Sequence, residues 1–335
     1  MTTGCLRVAY STADVQAVAA FVAAEYDLHG PLECSLVNRG FNDTFAVHAP
    51  GHGRFLLRLS GERRRGPADV AGETDFLAHL DAAGVPAAAG LPTRDGALFT
   101  AAVLPEGPRP AVLFRRAEGR VPQLDAPEDA RVQGATLARI HDAAEGFPGR
   151  EAGLYRLDLD HLLHRQLAVV SELSTLTGEA RDALAGLASR LAAGVTALDG
   201  LSWTRCHGDC HGLNARIATA GPNAGEATFF DFDDGGFGYL AYDLAVHLWA
   251  QVSFGRQRIA MWHAFIDGYR AVRPIAPADL DAVHLLVPIR HIWLMGEMAG
   301  RLDEWGSEGM STAWLDRQVE FLRSWEADKL SDRLL

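Results

Sequence analysis

Apolar and polar positions alternate in short runs along the first third of the chain, and beyond it apolar positions recur every three to four residues. After a start signal at Ser11-Thr12-Ala13-Asp14, the helical period persists through Tyr26 and predicts an opening amphipathic helix. The alternating runs 32–36, 41–47 and 54–59 read as strands, separated by the turn residues Gly40-Phe41-Asn42-Asp43 and Gly51-His52-Gly53. A helix over 67–83 ends at Gly84-Val85-Pro86, and strands at 98–103 and 111–114 complete a small antiparallel sheet. Helices then follow over 128–145, 159–173 and 179–198, and, after two short strands that lead to Cys206 and Asp231, over 240–254, 256–272, 277–305 and 312–330. The layout is α+β with two lobes, a sheet-bearing N-lobe over 1–115 and a mainly helical C-lobe over 116–335. No internal repeat or low-complexity tail interrupts it.

A length of 335 residues with 48% hydrophobic positions suffices for two separate cores. The net charge of −12 argues against nucleic acid, because neutralising phosphates needs a basic face; it suits solubility, or a cationic substrate, equally well. No uninterrupted apolar run approaches membrane-spanning length, and Met1-Thr2-Thr3-Gly4-Cys5 carries no basic-then-apolar signal, so a cytoplasmic protein without a membrane partner is expected. Cysteines at 5, 34, 206 and 210 form no disulfide framework. Lysine occurs once, at Lys329, and Gly-x-x-x-x-Gly-Lys is absent, which removes Walker-type nucleotide hydrolases.

Candidate chemistry concentrates in Cys206-His207-Gly208-Asp209-Cys210-His211-Gly212-Leu213-Asn214 and, seventeen residues on, Asp231-Phe232-Asp233-Asp234. Phosphoryl transfer needs a carboxylate to take or orient a hydroxyl proton, and hard oxygen donors to fix Mg²⁺ against phosphates. Asp209 suits the first task. A tight loop over 210–213 returns Asn214 beside it as a carbonyl donor, and the apolar run Ala227-Thr228-Phe229-Phe230 delivers Asp231 at a strand end as the charged donor. Cys206, His207, Cys210 and His211 also offer zinc-type donors, but zinc sites draw on separated pairs rather than one crowded segment. A calcium loop starting at Asp231 fails at its twelfth position, Tyr242, where a glutamate is required.

His207-Gly208-Asp209-x-His211-x-x-Asn214 with Asp231-x-Asp233-Asp234 resembles the aminoglycoside phosphotransferase (APH) and choline/homoserine kinase superfamily, whose fold is similar to protein kinases; the resemblance runs from about residue 32 to 325. It implies an ATP- and Mg²⁺-dependent kinase acting on a small-molecule hydroxyl, such as an amino alcohol, sugar or aminoglycoside. Asp209 matches the family's catalytic aspartate, Asn214 and Asp231 its metal ligands, and Asp243 in Tyr242-Asp243-Leu244-Ala245 the residue that braces the catalytic loop together with His207. On the N-lobe strand, Arg58 stands where lysine is usual and Glu73 where its helix partner is expected; the turn holding Asn42 would cap nucleotide phosphates, and 114–120 would pair with adenine. The same resemblance covers a serine/threonine protein kinase of the bacterial stress-response type, and the departure at Arg58 permits a nucleotide-binding regulator that has lost activity. The last helices would carry acceptor specificity, with Trp249, His263, His291, Trp293, Glu297 and Trp305 as candidate walls, although aromatics at helical spacing are more often core. His141 reads as structural; acceptor identity and oligomeric state are left open.

Overall fold

The computed structural model describes residues 6–61, 66–149, 156–221 and 223–327. Two compact units divide the chain, one running to Ala117 and the other from Glu118 onward. Cys5 and Lys329 lie outside the described residues.

In the first unit, α1 (Val15–Glu25) begins where the carboxylate of Asp14, the last residue of the start signal 11–14, accepts from the backbone N–H groups of Gln16 and Ala17. Strands β1 (Glu33–Arg39), β2 (Asn42–Ala49) and β3 (Gly53–Ser60) follow, then α2 (Pro67–Ala82), β4 (Thr100–Leu104) and β5 (Gly107–Arg115). They form an antiparallel sheet in the order β1-β2-β3-β5-β4. Period-two alternation decides its faces: Phe45, Val47, Leu57, Leu59 and Leu113 pack with Val18 and Val22 of α1 and with Tyr26 just past it, whereas Arg58 projects from the opposite face of β3 to meet Glu73 of α2. Beneath the β1–β2 turn, the buried Asp43 carboxylate accepts from Arg109 Nη1 at 3.1 Å and from the Tyr10 hydroxyl at 2.7 Å.

The second unit contains α3 (Pro127–Glu145), the short strand β6 (Arg156–Leu157), a π-helical turn (Asp160–His164), α4 (Arg165–Ser171) and α5 (Gly178–Thr196). Four short strands come next: β7 (Trp203–Cys206), β8 (Ala215–Ile217), β9 (Ala227–Phe229) and β10 (Gly236–Tyr239). The remaining helices are α6 (Leu240–Val252), α7 (Ile259–Arg270), α8 (Pro277–Ala299), α9 (Leu302–Trp305) and α10 (Thr312–Ala327), with a 3₁₀ turn at Glu308–Met310. β10 pairs with β6 and β7, and β8 pairs with β9. Helices α3 and α7 cross at two glycines: a Cβ on Gly134 would sit 1.9 Å from the Phe265 carbonyl oxygen, and one on Gly268 equally close to that of Arg131. Two predicted helices are subdivided: 277–305 ends at Ala299 and resumes as α9, and 159–173 opens with the π turn. Glu297 accepts from Gln166 Nε2, and Arg301 pairs with Glu304. No helix among the described residues is long and apolar enough to cross a membrane.

Candidate active site

Strand β7 hands the chain to His207 at its pairing with β10, where Gly236 opposes Cys206. From there the loop 207–214 is held by the carboxylate of Asp243, fully buried in the first turn of α6. Asp243 Oδ2 accepts from His207 N at 2.7 Å and Oδ1 from Gly208 N at 2.8 Å, while His141 Nε2 approaches Oδ2 at 3.0 Å and His141 Nδ1 lies 2.8 Å from the Tyr269 hydroxyl. Burial alone would raise the Asp243 pKa; the hydrogen bond with His141 and that from the Gly208 N–H hold it below the usual carboxylate value. Gly208 has φ +84°, and a Cβ there would lie 2.0 Å from the Asp234 carbonyl oxygen, so the loop runs against the acidic segment at glycine-only distance.

His207 ties the two segments through its ring. Its Nδ1 accepts from Asp209 N at 3.1 Å, so Nε2 carries the hydrogen and donates to the Phe230 carbonyl at 3.1 Å. Burial pushes its pKa down, which suits this neutral tautomer. The ring packs between Phe229 and Phe232.

Asp209 emerges from this scaffold with its side chain 16% exposed. Asn214 Nδ2 donates to Asp209 Oδ2 at 2.9 Å and to the Asp209 carbonyl at 3.0 Å; Arg290 Nη2 donates to Oδ1, and His211 Nε2 lies 3.4 Å from Oδ2. The Asn214 carbonyl in turn accepts from Phe230 N at 3.1 Å, continuing the β8–β9 ladder in which Ala215 opposes Phe229. Asp231 therefore follows directly on the residue bonded to Asn214. It is exposed, at φ +67°, in the left-handed region that non-glycine residues adopt at a cost and that clusters at functional sites. Asp233 and Asp234 are buried.

These donors fit a hard divalent cation. Both Asn214 hydrogen bonds to Asp209 use Nδ2, which leaves the carbonyl oxygen Oδ1 for a ligand, and Asp231 supplies an exposed carboxylate one residue past the ladder. They do not fit zinc: burial holds the Cys206 and Cys210 thiols well above the usual cysteine pKa, Cys210 Sγ donates to the Asp243 carbonyl, and both His207 nitrogens are engaged. Among the described residues no cluster of three or more His, Cys, Asp or Glu is arranged for a metal.

In the first unit, Arg58 and Glu73 form a buried bidentate pair, Nη1 to Oε1 at 2.8 Å and Nη2 to Oε2 at 2.5 Å, with the guanidinium 5.0 Å from the centre of the Phe114 ring. Asn42 Oδ1 accepts from Gly61 N at 3.1 Å and so ties the start of β2 to the chain just past β3.

Sequence reasoning missed Arg290, Tyr242 as its neighbour, and the Asp43–Arg109–Tyr10 network. One signal for Arg290 was present: a lone charge inside the apolar stretch Leu285-Leu286-Val287-Pro288-Ile289-Arg290-His291-Ile292-Trp293 must be buried with a partner.

Comparison with known proteins identifies the family of the chain. The model of the APH phosphotransferase enzyme family matches residues 33–275. An uncharacterised protein of Deinococcus radiodurans is 40% identical over 316 residues, covering 92% of this chain and 89% of its own. A homoserine kinase of Caulobacter vibrioides is 28% identical, with 84% and 85% covered. Among solved structures, an amicoumacin kinase in complex with AMP-PNP, Ca²⁺ and amicoumacin superimposes with a TM-score of 0.75 at 18% identity, covering 95% of this chain and 94% of that one, which establishes the protein-kinase-like α+β fold. A family match over most of the chain, joined to the loop and ladder just described, makes this protein a kinase with an alcohol group as acceptor: it belongs to the APH phosphotransferase enzyme family.

Proposed function

We propose that this kinase transfers the γ-phosphoryl group of ATP, with Mg²⁺, to the hydroxyl of a small molecule that also bears an amine, such as an amino alcohol or an aminoglycoside. The observation that carries the reading is the orientation of Asn214, whose amide nitrogen holds Asp209 while its oxygen is left for a metal beside Asp231. Asp209 orients the acceptor hydroxyl and takes its proton as the oxygen attacks phosphorus. Asn214 and Asp231 hold Mg²⁺, which when bound neutralises charge on the phosphates. Arg58, fixed by Glu73, and the turn at Asn42 serve the nucleotide phosphates; His207 and Asp243 keep the loop in shape. An amine suits the acidic segment Asp231-Phe232-Asp233-Asp234, which runs against the loop of Asp209 at Gly208. The homoserine and amicoumacin kinases that the chain resembles are named for acceptors of this kind.

The test is ADP release from Mg·ATP across a panel of L-homoserine, 1-amino-2-propanol, choline, kanamycin, glucose and casein, with product mass confirmed. Turnover of an amine-bearing alcohol, lost in Asp209→Asn, is expected. Phosphate transfer to casein alone would replace this reading with a protein kinase, and Mg·ATP binding without any turnover would replace it with a regulator.

A further inference from the structure

Arg290 enters the second unit from α8 with 3% of its surface exposed, in a place where a hydrophobic side chain would pack at lower cost. Its guanidinium lies over two buried indoles, with 4.3 Å to the centre of the Trp293 ring and 5.1 Å to that of Trp249. Nη1 donates to the Tyr242 hydroxyl at 3.4 Å, and Nη2 donates to Asp209 Oδ1. The stack is itself held from behind. Trp249 Nε1 donates to His291 Nδ1 at 3.1 Å, which places the hydrogen of His291 on Nε2, facing Gln318 Oε1 at 3.2 Å. Gln318, His291, Trp249 and Arg290 thus form a chain of fixed side chains on α10, α8 and α6 that terminates on one oxygen of a loop carboxylate.

We propose that Arg290 is a positioning residue that fixes the rotamer and plane of the Asp209 carboxylate. This rests on the reading of Asp209 as the proton acceptor. Asp209 sits in a loop and cannot be held by helix packing, so its two oxygens need separate anchors: Asn214 on Oδ2 from the loop itself, and Arg290 on Oδ1 from the helical body. Remove the second and the carboxylate pivots about the first. A displacement of about 1 Å at a reacting group costs on the order of 10²-fold in rate, and the loss falls on the chemical step because Arg290 touches neither proposed metal ligand.

The experiment compares wild type, Arg290→Ala, Arg290→Lys and Asp209→Asn, using the panel compound that wild type phosphorylates fastest, L-homoserine in the first instance. Arg290→Ala is expected to lose about 10²-fold in kcat while KM for Mg·ATP stays within about twofold. Lysine, which keeps the charge without the planar fork, should restore part of that loss, and millimolar guanidinium added to the alanine variant should restore part of it too. A merely structural role predicts neither the confinement to kcat nor the chemical rescue. If the alanine variant does not fold by circular dichroism, Arg290→Met, which keeps the stem against both indoles, takes its place. A folded alanine or methionine variant with kcat within threefold of wild type, beside an inactive Asp209→Asn, overturns the proposal and leaves the base assignment standing. Full turnover in Asp209→Asn removes both.

Discussion

Replacing Asp243 by asparagine changes one atom and leaves the shape almost intact, so it isolates what the buried carboxylate contributes. Its two oxygens receive His207 N, Gly208 N and His141 Nε2 at 2.7, 2.8 and 3.0 Å. An asparagine must aim its NH₂ at one of the two backbone N–H groups, whichever way the amide is turned. A buried donor left facing another donor costs ~1–3 kcal/mol, and the surviving bonds fall from the charged class, worth ~1.5–3 kcal/mol each, to about 1 kcal/mol each. The sum is about 2–7 kcal/mol, centred on the ~3–5 kcal/mol found when one partner of a buried pair is removed. Urea titration followed by tryptophan fluorescence, with seven tryptophans as reporters, measures this at pH 7. As a control, Arg190→Ala breaks an equally short bidentate pair with Glu326, but at 60% and 41% side-chain exposure, and should cost less than ~1 kcal/mol. Because His207 and Gly208 lead directly into Asp209, kcat in Asp243→Asn should also fall about 10²-fold. A midpoint shift worth under about 1 kcal/mol at unchanged m-value would refute the claim that this carboxylate holds the loop.

Further outcomes follow from other parts of the molecule. Gly208→Ala forces a side chain into a positive-φ site 2.0 Å from the Asp234 carbonyl; turnover should drop at least ~10²-fold, and retention of half the wild-type kcat would contradict the close approach. Glu73→Gln removes the carboxylate charge that pairs with the buried Arg58 guanidinium and should lower stability by ~3–5 kcal/mol, whereas the double replacement Arg58→Met with Glu73→Leu should recover most of it in a thermal melt. Burial pushes His247 down to about 3 and His291 down to about 4. Their folded-state values lie below the unfolded value near 6.5, so the neutral forms contribute stability that is fully present above about pH 6.5 and is lost as pH falls toward 4 and 3. Between pH 7 and 5.5 the two together should cost about 2 kcal/mol in urea titrations, and a His247→Phe, His291→Phe variant should show a flatter acid limb. Chelation of divalent cations with EDTA should abolish turnover, and adding Mg²⁺ back should restore it, without a large change in circular dichroism.

What the sequence disclosed, and what it hid, divides by distance along the chain. The strands of the first unit were legible because inward positions alternate locally, as Phe45, Val47 and Ala49 do on β2. Most helices were legible because their period repeats within ten residues. The loop 207–214 was legible as a set, since Asp209 and Asn214 are five residues apart and one amide joins them. Side chains that meet from far apart leave no such trace. His141 finds Asp243 102 positions away and Tyr269 128 away, and Arg290 reaches Asp209 across 81. The π turn at 160–164 was hidden because only the local hydrogen bonding changes there, whereas the break after Ala299 did leave a sign in Gly300, which caps α8.

The ring of His207 has a bearing on how this enzyme tolerates change. One nitrogen holds the backbone of the residue assigned to proton transfer and the other holds the strand that delivers the acidic donors, so both move as one body whenever either is disturbed. Variation aimed at a new acceptor would therefore fail in the segments this imidazole joins, which puts residues 206–214 and 227–235, together with Asp243 and Arg290 on the helices, among the positions to leave untouched in a mutagenic library.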